Sequence, residues 1–272
     1  MKGVIMNEKQ VLNKIKECRI CPRNCLIDRT NGEKGFCRTG TELIIFNDYI
    51  HYGEESELIP SQTIYLKGCN LRCKFCPVSN YLNDSSAGKI ISVNELVSSI
   101  LDGLKEGAKN VNFVGGEPTV FLYPLVKVMK LIKGKQKTVW NSNMYFNKNI
   151  FSILNDLIDI YLADLKFGND ECAKKLSDAD NYSEIVRGNI KLASEQTNVI
   201  IRHLVIPGHL ECCTIPVLEW IKRNLRDTKV SLMTNYTPNY KSGIKEINRF
   251  LNEDEISYIN KLKKKFKLNY IV

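Results

Sequence analysis

Apolar positions along the chain fall into two alternating patterns. Short runs rich in β-branched and aromatic residues at 63–67, 111–114, 138–140, 158–167, 199–206 and 230–234 predict six strands, with 267–272 a weaker seventh. Helical stretches lie between them. Ser92 followed three residues later by Glu95 has the form of a capping box opening a stripe of Leu96, Ile100, Leu104 and Ala108, with Gly107 fitting its stop. A last helix opens at Asn252 with Glu253, Asp254 and Glu255 and finishes in Lys261, Lys263, Lys264 and Lys265, so charge opposes the macrodipole at both ends.

Strands and helices in alternation predict repeated βα units around a parallel sheet. Six units are too few for a closed eight-unit barrel. The expected fold is therefore α/β, a partial (β/α)6 TIM-like barrel with its active groups on the loops after the strands. A doubly wound sheet is the alternative that the pattern leaves open. The plausible boundary lies just before the first core strand, separating residues 1–60, a small cysteine-rich metal-binding extension, from the barrel at 61–272.

Composition adds limits. With 43% hydrophobic and 25% charged residues the 272-residue chain is near the globular average, and 39 Lys plus Arg against 30 Asp plus Glu rules out an acidic disordered tail. The basic helix end has its dipole explanation, so the charge of +9 does not require a nucleic-acid partner. No window of about 18 apolar residues predicts a membrane span, and the start lacks the apolar stretch of a secretory signal. The expectation is a cytoplasmic protein without nucleic acid or membrane as partner. Ten cysteines in that compartment point to ligation or catalysis rather than disulfides.

Seven of the ten fall into two groups. Cys69, Cys73 and Cys76 follow the first predicted strand with C-x3-C-x2-C spacing. Structural zinc wants four ligands, whereas a cubane iron–sulfur cluster tolerates three thiolates and leaves one iron open. Cys18, Cys21, Cys25 and Cys37 are spaced C-x2-C-x3-C-x11-C and suffice for a site of their own, which a second 4Fe-4S cluster or zinc would satisfy.

The three-cysteine spacing, with aromatic Phe75 before the last thiol, resembles the signature of the radical S-adenosylmethionine (SAM) enzymes. The resemblance implies a 4Fe-4S cluster on Cys69, Cys73 and Cys76 whose open iron is chelated by SAM. It further implies reductive cleavage of the sulfonium to a 5′-deoxyadenosyl radical that abstracts a substrate hydrogen, the protein supplying placement. Gly115-Gly116-Glu117 resembles the family's glycine-rich segment near the methionine amino group. Glycine admits close backbone approach, and a carboxylate can accept from an ammonium. Asn141, Ser142 and Asn143 after the third strand, and Asp164 and Lys166 near the end of the fourth, fall where the family places cofactor contacts, with Phe75 counted among them. A charge pair at the rim is the other reading of Asp164 and Lys166.

The stretch 199–208 resembles the glycyl-radical activating enzymes, the subgroup whose best-known member activates pyruvate formate-lyase. The closer resemblance is to a branch of that subgroup that also shows an N-terminal motif like Cys21-Pro22-Arg23-Asn24-Cys25 and a segment like residues 159–166. Arg202 and His203 are its candidate contacts, and alternation sends them to opposite faces. Where the activases place a histidine on the last core strand, this chain has Met233-Thr234-Asn235-Tyr236. A C-terminal auxiliary-cluster domain is not expected, since no cysteine follows Cys213. The subgroup implies a protein or peptide substrate and a flavodoxin- or ferredoxin-like electron donor, for which Arg19, Arg23 and Arg29 suit an electropositive surface.

An alternative is modification of a peptide or small molecule, such as epimerisation, with Cys212 or Cys213 as hydrogen donor. The plainer reading makes those two small apolar residues at a helix start. Cys172 carries no signal. A non-catalytic iron–sulfur electron carrier or binding module is disfavoured by the polar groups at strand ends, and an RNA-binding module by the want of an aromatic-rich RNA motif.

Overall fold

Each of the predicted runs forms a strand, and two further strands precede or interrupt them. The computed structural model describes residues 2–84, 86–239 and 242–271. Among these, one sheet contains β1 Leu43–His51, β2 Ser61–Leu66, β3 Lys89–Ile91, β4 Asn110–Gly115, β5 Lys137–Ser142, β6 Ile160–Asp164, β7 Asn198–Leu204, β8 Lys229–Met233 and β9 Asn269–Ile271. Its spatial order is β3-β1-β2-β4-β5-β6-β7-β8-β9. From β2 through β9, omitting β3, every neighbour is parallel and next in chain order. That order, with helices in the crossovers, gives an open, mostly parallel sheet in the manner of a partial barrel.

The two unexpected strands are antiparallel. β1 pairs with β2 from Ile45↔Leu66 to His51↔Ser61, with a bulge between Ile45 and Asn47, and β3 pairs with β1. β1 thus extends the barrel's own sheet from residues that precede the expected boundary. The expected capping box forms at Ser92 with Glu95, and a second is found at Asn252 with Glu255. The first helix ends at Lys105, earlier than its apolar stripe implied: Leu104 is 38% exposed and Ala108 is buried beyond the helix. No helix among the described residues is long and apolar enough to cross a membrane.

Alternation along the strands separates two faces. Trp140, Tyr161, Ala163 and Ile201 pack outward into the main core with helix residues such as Leu125, Val186 and Val217, and Val11 and Ile15 of helix Lys2–Lys16 join the same core. Val139, Leu162 and Ile200 point the other way and form a separate inner cluster closed by Leu58 from the β1–β2 connection. Two residues further along the same three strands stand Asn141, Asp164 and Arg202, on the same inner face but nearer the strand ends.

Candidate functional site

The loop after β2 carries the three-cysteine motif and is held by backbone bonds at three points. Glu117 N donates to Gly68 O (2.8 Å), Arg72 N to Ser177 O (2.9 Å) and Lys74 N to Leu176 O (2.8 Å). Cys69, Cys73 and Cys76 line one cleft of about 1030 Å3 whose walls include Lys34, Arg38, Lys67, Arg72 and Lys74. Phe75 turns away into the core, with its ring edge-on to Phe167 at 6.0 Å, and so props the loop from behind. Burial pushes the Cys73 thiol up to about 12 although Lys166 pulls it down, and burial raises Cys69 and Cys76 as well. Thiols so placed become thiolates when a metal supplies the compensating charge. Three soft sulfurs on one short loop fit a cubane cluster with an open iron.

The glycine-rich segment lies against that loop. At Gly116 an added Cβ would sit 1.9 Å from Gly68 O, and at Gly115, where φ is +104°, it would sit 2.3 Å from Leu66 N. Both glycines are demanded by the approach of two backbones. Glu117 is fully buried and its carboxylate accepts from Thr119 N (3.1 Å), Thr119 Oγ1 (2.6 Å), Ser142 Oγ (2.8 Å) and Asn143 N (2.8 Å). Burial raises its pKa while those bonds pull it back. The carboxylate therefore ties the end of β4 to the end of β5. Asn143 Nδ2 donates to Asn70 Oδ1 (2.8 Å) and lies 3.9 Å from Cys69 Sγ. Asn70, which the motif reading passed over, donates in turn to Tyr145 O (2.6 Å); its signal was its place inside the cysteine loop.

On the inner face, the Arg202 guanidinium reaches three groups. Nε donates to Asp164 Oδ1 (2.9 Å), Nη2 to Asn141 Oδ1, and Nη1 lies 3.5 Å from Glu54 Oε2. Lys166 Nζ donates to Asp164 Oδ2 (2.6 Å). Burial alone would raise the Asp164 carboxyl, but Arg202 and Lys166 outweigh it and hold it below the usual carboxylate range. Burial likewise works against the charge on Lys166, and Asp164 more than offsets it. Asn141 Nδ2 and both side-chain amide atoms of Asn112 are buried without a hydrogen-bond partner in the chain. Such groups suit a polar ligand in the barrel mouth. Asn112 was legible as a polar residue within an apolar run; Glu54 had no local signal.

His203 stands apart. Its Nδ1 lies 2.7 Å from Leu165 O and its Nε2 3.0 Å from Thr214 Oγ1, on the helix side of β7. Burial pulls its pKa down to about 4. Cys212 and Cys213 are also separate, grouped with Cys172 and His209.

Cys18, Cys21, Cys25 and Cys37 line one small hollow together with Arg29 and Phe36. The chain turns around them through left-handed Asn24, Leu26 and Arg38, at φ 40°, 58° and 61°. The expected electropositive surface is not formed by these arginines. Arg29 is 2% exposed and donates to Thr39 Oγ1 (2.8 Å) and Val120 O (2.7 Å), because buried carbonyls there need donors. Arg23 donates to Asn70 O (3.0 Å), and its guanidinium and that of Arg72 cover the Phe36 ring at 3.8 and 4.0 Å. Arg19 alone of the three is exposed, paired with Glu17. Cys37 lines both the hollow and the cleft, and a Cβ on Gly68 would lie 2.3 Å from Thr39 Cγ2 and 3.2 Å from Cys37 O. The two thiol sites therefore share a wall.

Comparison with known proteins agrees with this geometry. Residues 63–221 match the family model described as the Radical SAM superfamily. An uncharacterized protein of Methanocaldococcus jannaschii is 38% identical over 265 residues, 95% of this chain and 78% of its own length. The pyruvate formate-lyase-activating enzyme of Staphylococcus epidermidis is 26% identical over 156 residues, 53% of this chain and 61% of that enzyme. Among solved structures, Streptococcus suis SuiB bound to the precursor peptide SuiA superposes with a TM-score of 0.56 at 17% identity, covering 74% of this chain and 46% of SuiB. The chain thus spans about half the length of SuiB and three-fifths of the activating enzyme, and the likeness to SuiB is one of fold.

Proposed function

The chain belongs to the radical SAM superfamily, and from that premise we propose that this enzyme abstracts a hydrogen atom from a protein or peptide substrate. Cys69, Cys73 and Cys76 would hold a 4Fe-4S cluster, which with SAM supplies a 5′-deoxyadenosyl radical by one-electron cleavage of the sulfonium. Gly115 and Gly116 keep side chains out of the loop's approach, and Glu117 positions Ser142 and Asn143 from beneath. Arg202, braced by Asn141, Asp164 and Glu54, presents a fixed cation to the cofactor's anionic end, and Asn141 Nδ2 offers an unpaired donor beside it.

The observation that carries a large substrate is the cleft of about 1030 Å3 at the three thiols. It lies at the upper end of small-ligand sites, which run to about 1,000 Å3, and leaves room for a substrate segment beside a cofactor. A relative named as an activating enzyme and a fold neighbour bound to a precursor peptide support the same reading. In this reading Cys18, Cys21, Cys25 and Cys37 would hold a second 4Fe-4S cluster, which would supply electron transfer, on the far side of the wall at Cys37. The electron donor in this reading is a flavodoxin- or ferredoxin-like protein.

The test is anaerobic reconstitution with iron and sulfide, followed by reductant, SAM and either candidate peptides or small molecules. We expect 5′-deoxyadenosine to accumulate, to rise with peptide, and to take up deuterium from labelled peptide. Cys73→Ala abolishes cleavage, whereas Cys37→Ala first removes metal from the second site. Deuterium arriving only from small molecules would sink the protein-substrate reading, and no cleavage by fully loaded protein would sink the whole.

A further inference from the structure

A third group of ligating side chains lies outside both cysteine motifs. Cys172 opens the helix Asp170–Ser177 after β6, while His209, Cys212 and Cys213 sit on the turn and π-helical segment after β7. Their ligand atoms all lie within 4.8 Å of one another. Cys172 Sγ is 3.6 Å from Cys212 Sγ and 3.6 Å from His209 Nδ1, and Cys212 Sγ is 3.3 Å from that nitrogen. Tetrahedral zinc, with bonds of about 2.3 Å to sulfur and about 2.0 Å to nitrogen, places its ligands roughly 3.5–3.8 Å apart. We propose that Cys172, His209, Cys212 and Cys213 form a mononuclear site for a soft divalent cation of the zinc class.

The surroundings fit such an ion. The His209 imidazole turns Nδ1 toward the sulfurs and Nε2 toward Glu246, whose Oε1 is 3.9 Å away and also accepts from Lys175 Nζ (2.6 Å). At that distance the carboxylate is a charge behind the ring and not a hydrogen-bond acceptor, and Nε2 is buried without a hydrogen-bond partner in the chain. Uptake of M2+ releases the protons of three thiols and leaves the centre with one net negative charge. The ligand set is complete at Cys3His, so the site is closed and structural.

Its mechanical role follows from the two loops it joins. They already touch: the Asn169 side-chain Nδ2 donates to Cys212 O (2.8 Å), and a Cβ on Gly168 would lie 2.5 Å from the same oxygen. The helix that begins beside Cys172 ends at Leu176 and Ser177, the carbonyls that receive Lys74 N and Arg72 N. An ion at Cys172 therefore braces the helix that holds the cysteine loop of the proposed catalytic cluster. A thiolate bound there carries no S–H hydrogen, so the ion is incompatible with Cys212 or Cys213 serving as donor to a substrate radical.

The test is metal content of the full chain, grown with zinc and reconstituted anaerobically, against a Cys172→Ser/His209→Ala double variant. The double variant should carry one zinc fewer per chain at unchanged iron, whatever metal fills the N-terminal site. Cobalt(II) exchanged for zinc should give thiolate-to-metal charge-transfer absorption that the variant loses in the same proportion. Equal zinc and cobalt signals in both proteins, or zinc in neither, overturn the proposal. Should the double variant not fold, Cys212→Ser takes its place, and alkylation of the wild type followed by mass spectrometry gives a second measurement. Zinc should protect Cys212 from alkylation; equal labelling with and without zinc, or a Cys172–Cys212 disulfide, overturns it. None of these readouts depends on SAM cleavage.

Discussion

Gly116 shows how a motif residue can be legible and its work still differ from what the motif implies. The sequence marks Gly115-Gly116-Glu117 as a place of close approach, and the approach occurs, but the partner within the chain is the backbone of the cysteine loop. A methyl on Gly116 would meet a carbonyl oxygen that cannot rotate away, so Gly116→Ala should cost about 1–3 kcal/mol of stability through forced backbone shifts. A lowered melting temperature together with less iron retained at Cys69, Cys73 and Cys76 would bear this out; full stability would remove the argument. Arg202 is read the same way. Its charge and strand-end place are visible in sequence, whereas its bonds to Asn141 and Asp164 and its nearness to Glu54 depend on four separate segments. Arg202→Lys keeps the charge and loses the fork, so SAM binding measured by calorimetry on cluster-loaded protein should weaken by about 10-fold, equivalent to ~1.4 kcal/mol. Unchanged affinity would place the cofactor elsewhere.

At the scale of elements, the parallel strands were legible because each is a short apolar run set off by a helix. β1 was not, because its apolar start Leu43-Ile44-Ile45-Phe46 runs through a bulge into polar Asn47 and Asp48, as suits an antiparallel strand with a half-buried pattern. The last helix was legible from charge alone, but its role in tertiary structure was not. Glu255 caps it by accepting from Asn252 N (3.0 Å), and also receives Arg249 Nη1 (2.7 Å) and Gly208 N (2.8 Å), fastening the helix to the turn after β7. The Arg249 guanidinium is the main cause that draws its carboxyl down to about 2. An unfolded glutamate titrates near about 4.3. The folded chain therefore binds this proton less readily, and the stabilisation is full above that value and is lost as pH falls through about 2. Glu255→Gln should flatten the drop in melting temperature between those pH values, with little change in its slope near neutrality. An identical acid limb in both proteins would show that the cap does not carry it.

For the whole molecule, the two N-terminal cysteine sets were legible by their own spacing, but their shared wall was not, because nothing local in the sequence brings Cys37 and Thr39 against Gly68. The segment between helix Lys2–Lys16 and β1 has only a single 3-10 turn, Arg29–Asn31, as regular structure. Its order therefore rests on the four thiols, the buried Arg29 and the Phe36 ring held between Arg23 and Arg72. A segment with so little regular structure opens at lower free energy than the sheet behind it. Loss of the metal proposed for these thiols would take away the strongest of these ties. Cys25→Ala, at a partly exposed ligand, should make residues 19–38 the first site of limited proteolysis while the main thermal transition moves little. The damage should also cross the wall, since Arg72 donates to Phe36 O from within the cysteine loop, so iron at Cys69, Cys73 and Cys76 should leave faster under chelation than in the wild type. Mass spectrometry of the first fragments and the rate of iron loss check both parts. First cuts within the barrel helices would mean that the N-terminal segment is held by packing and owes its order to no metal.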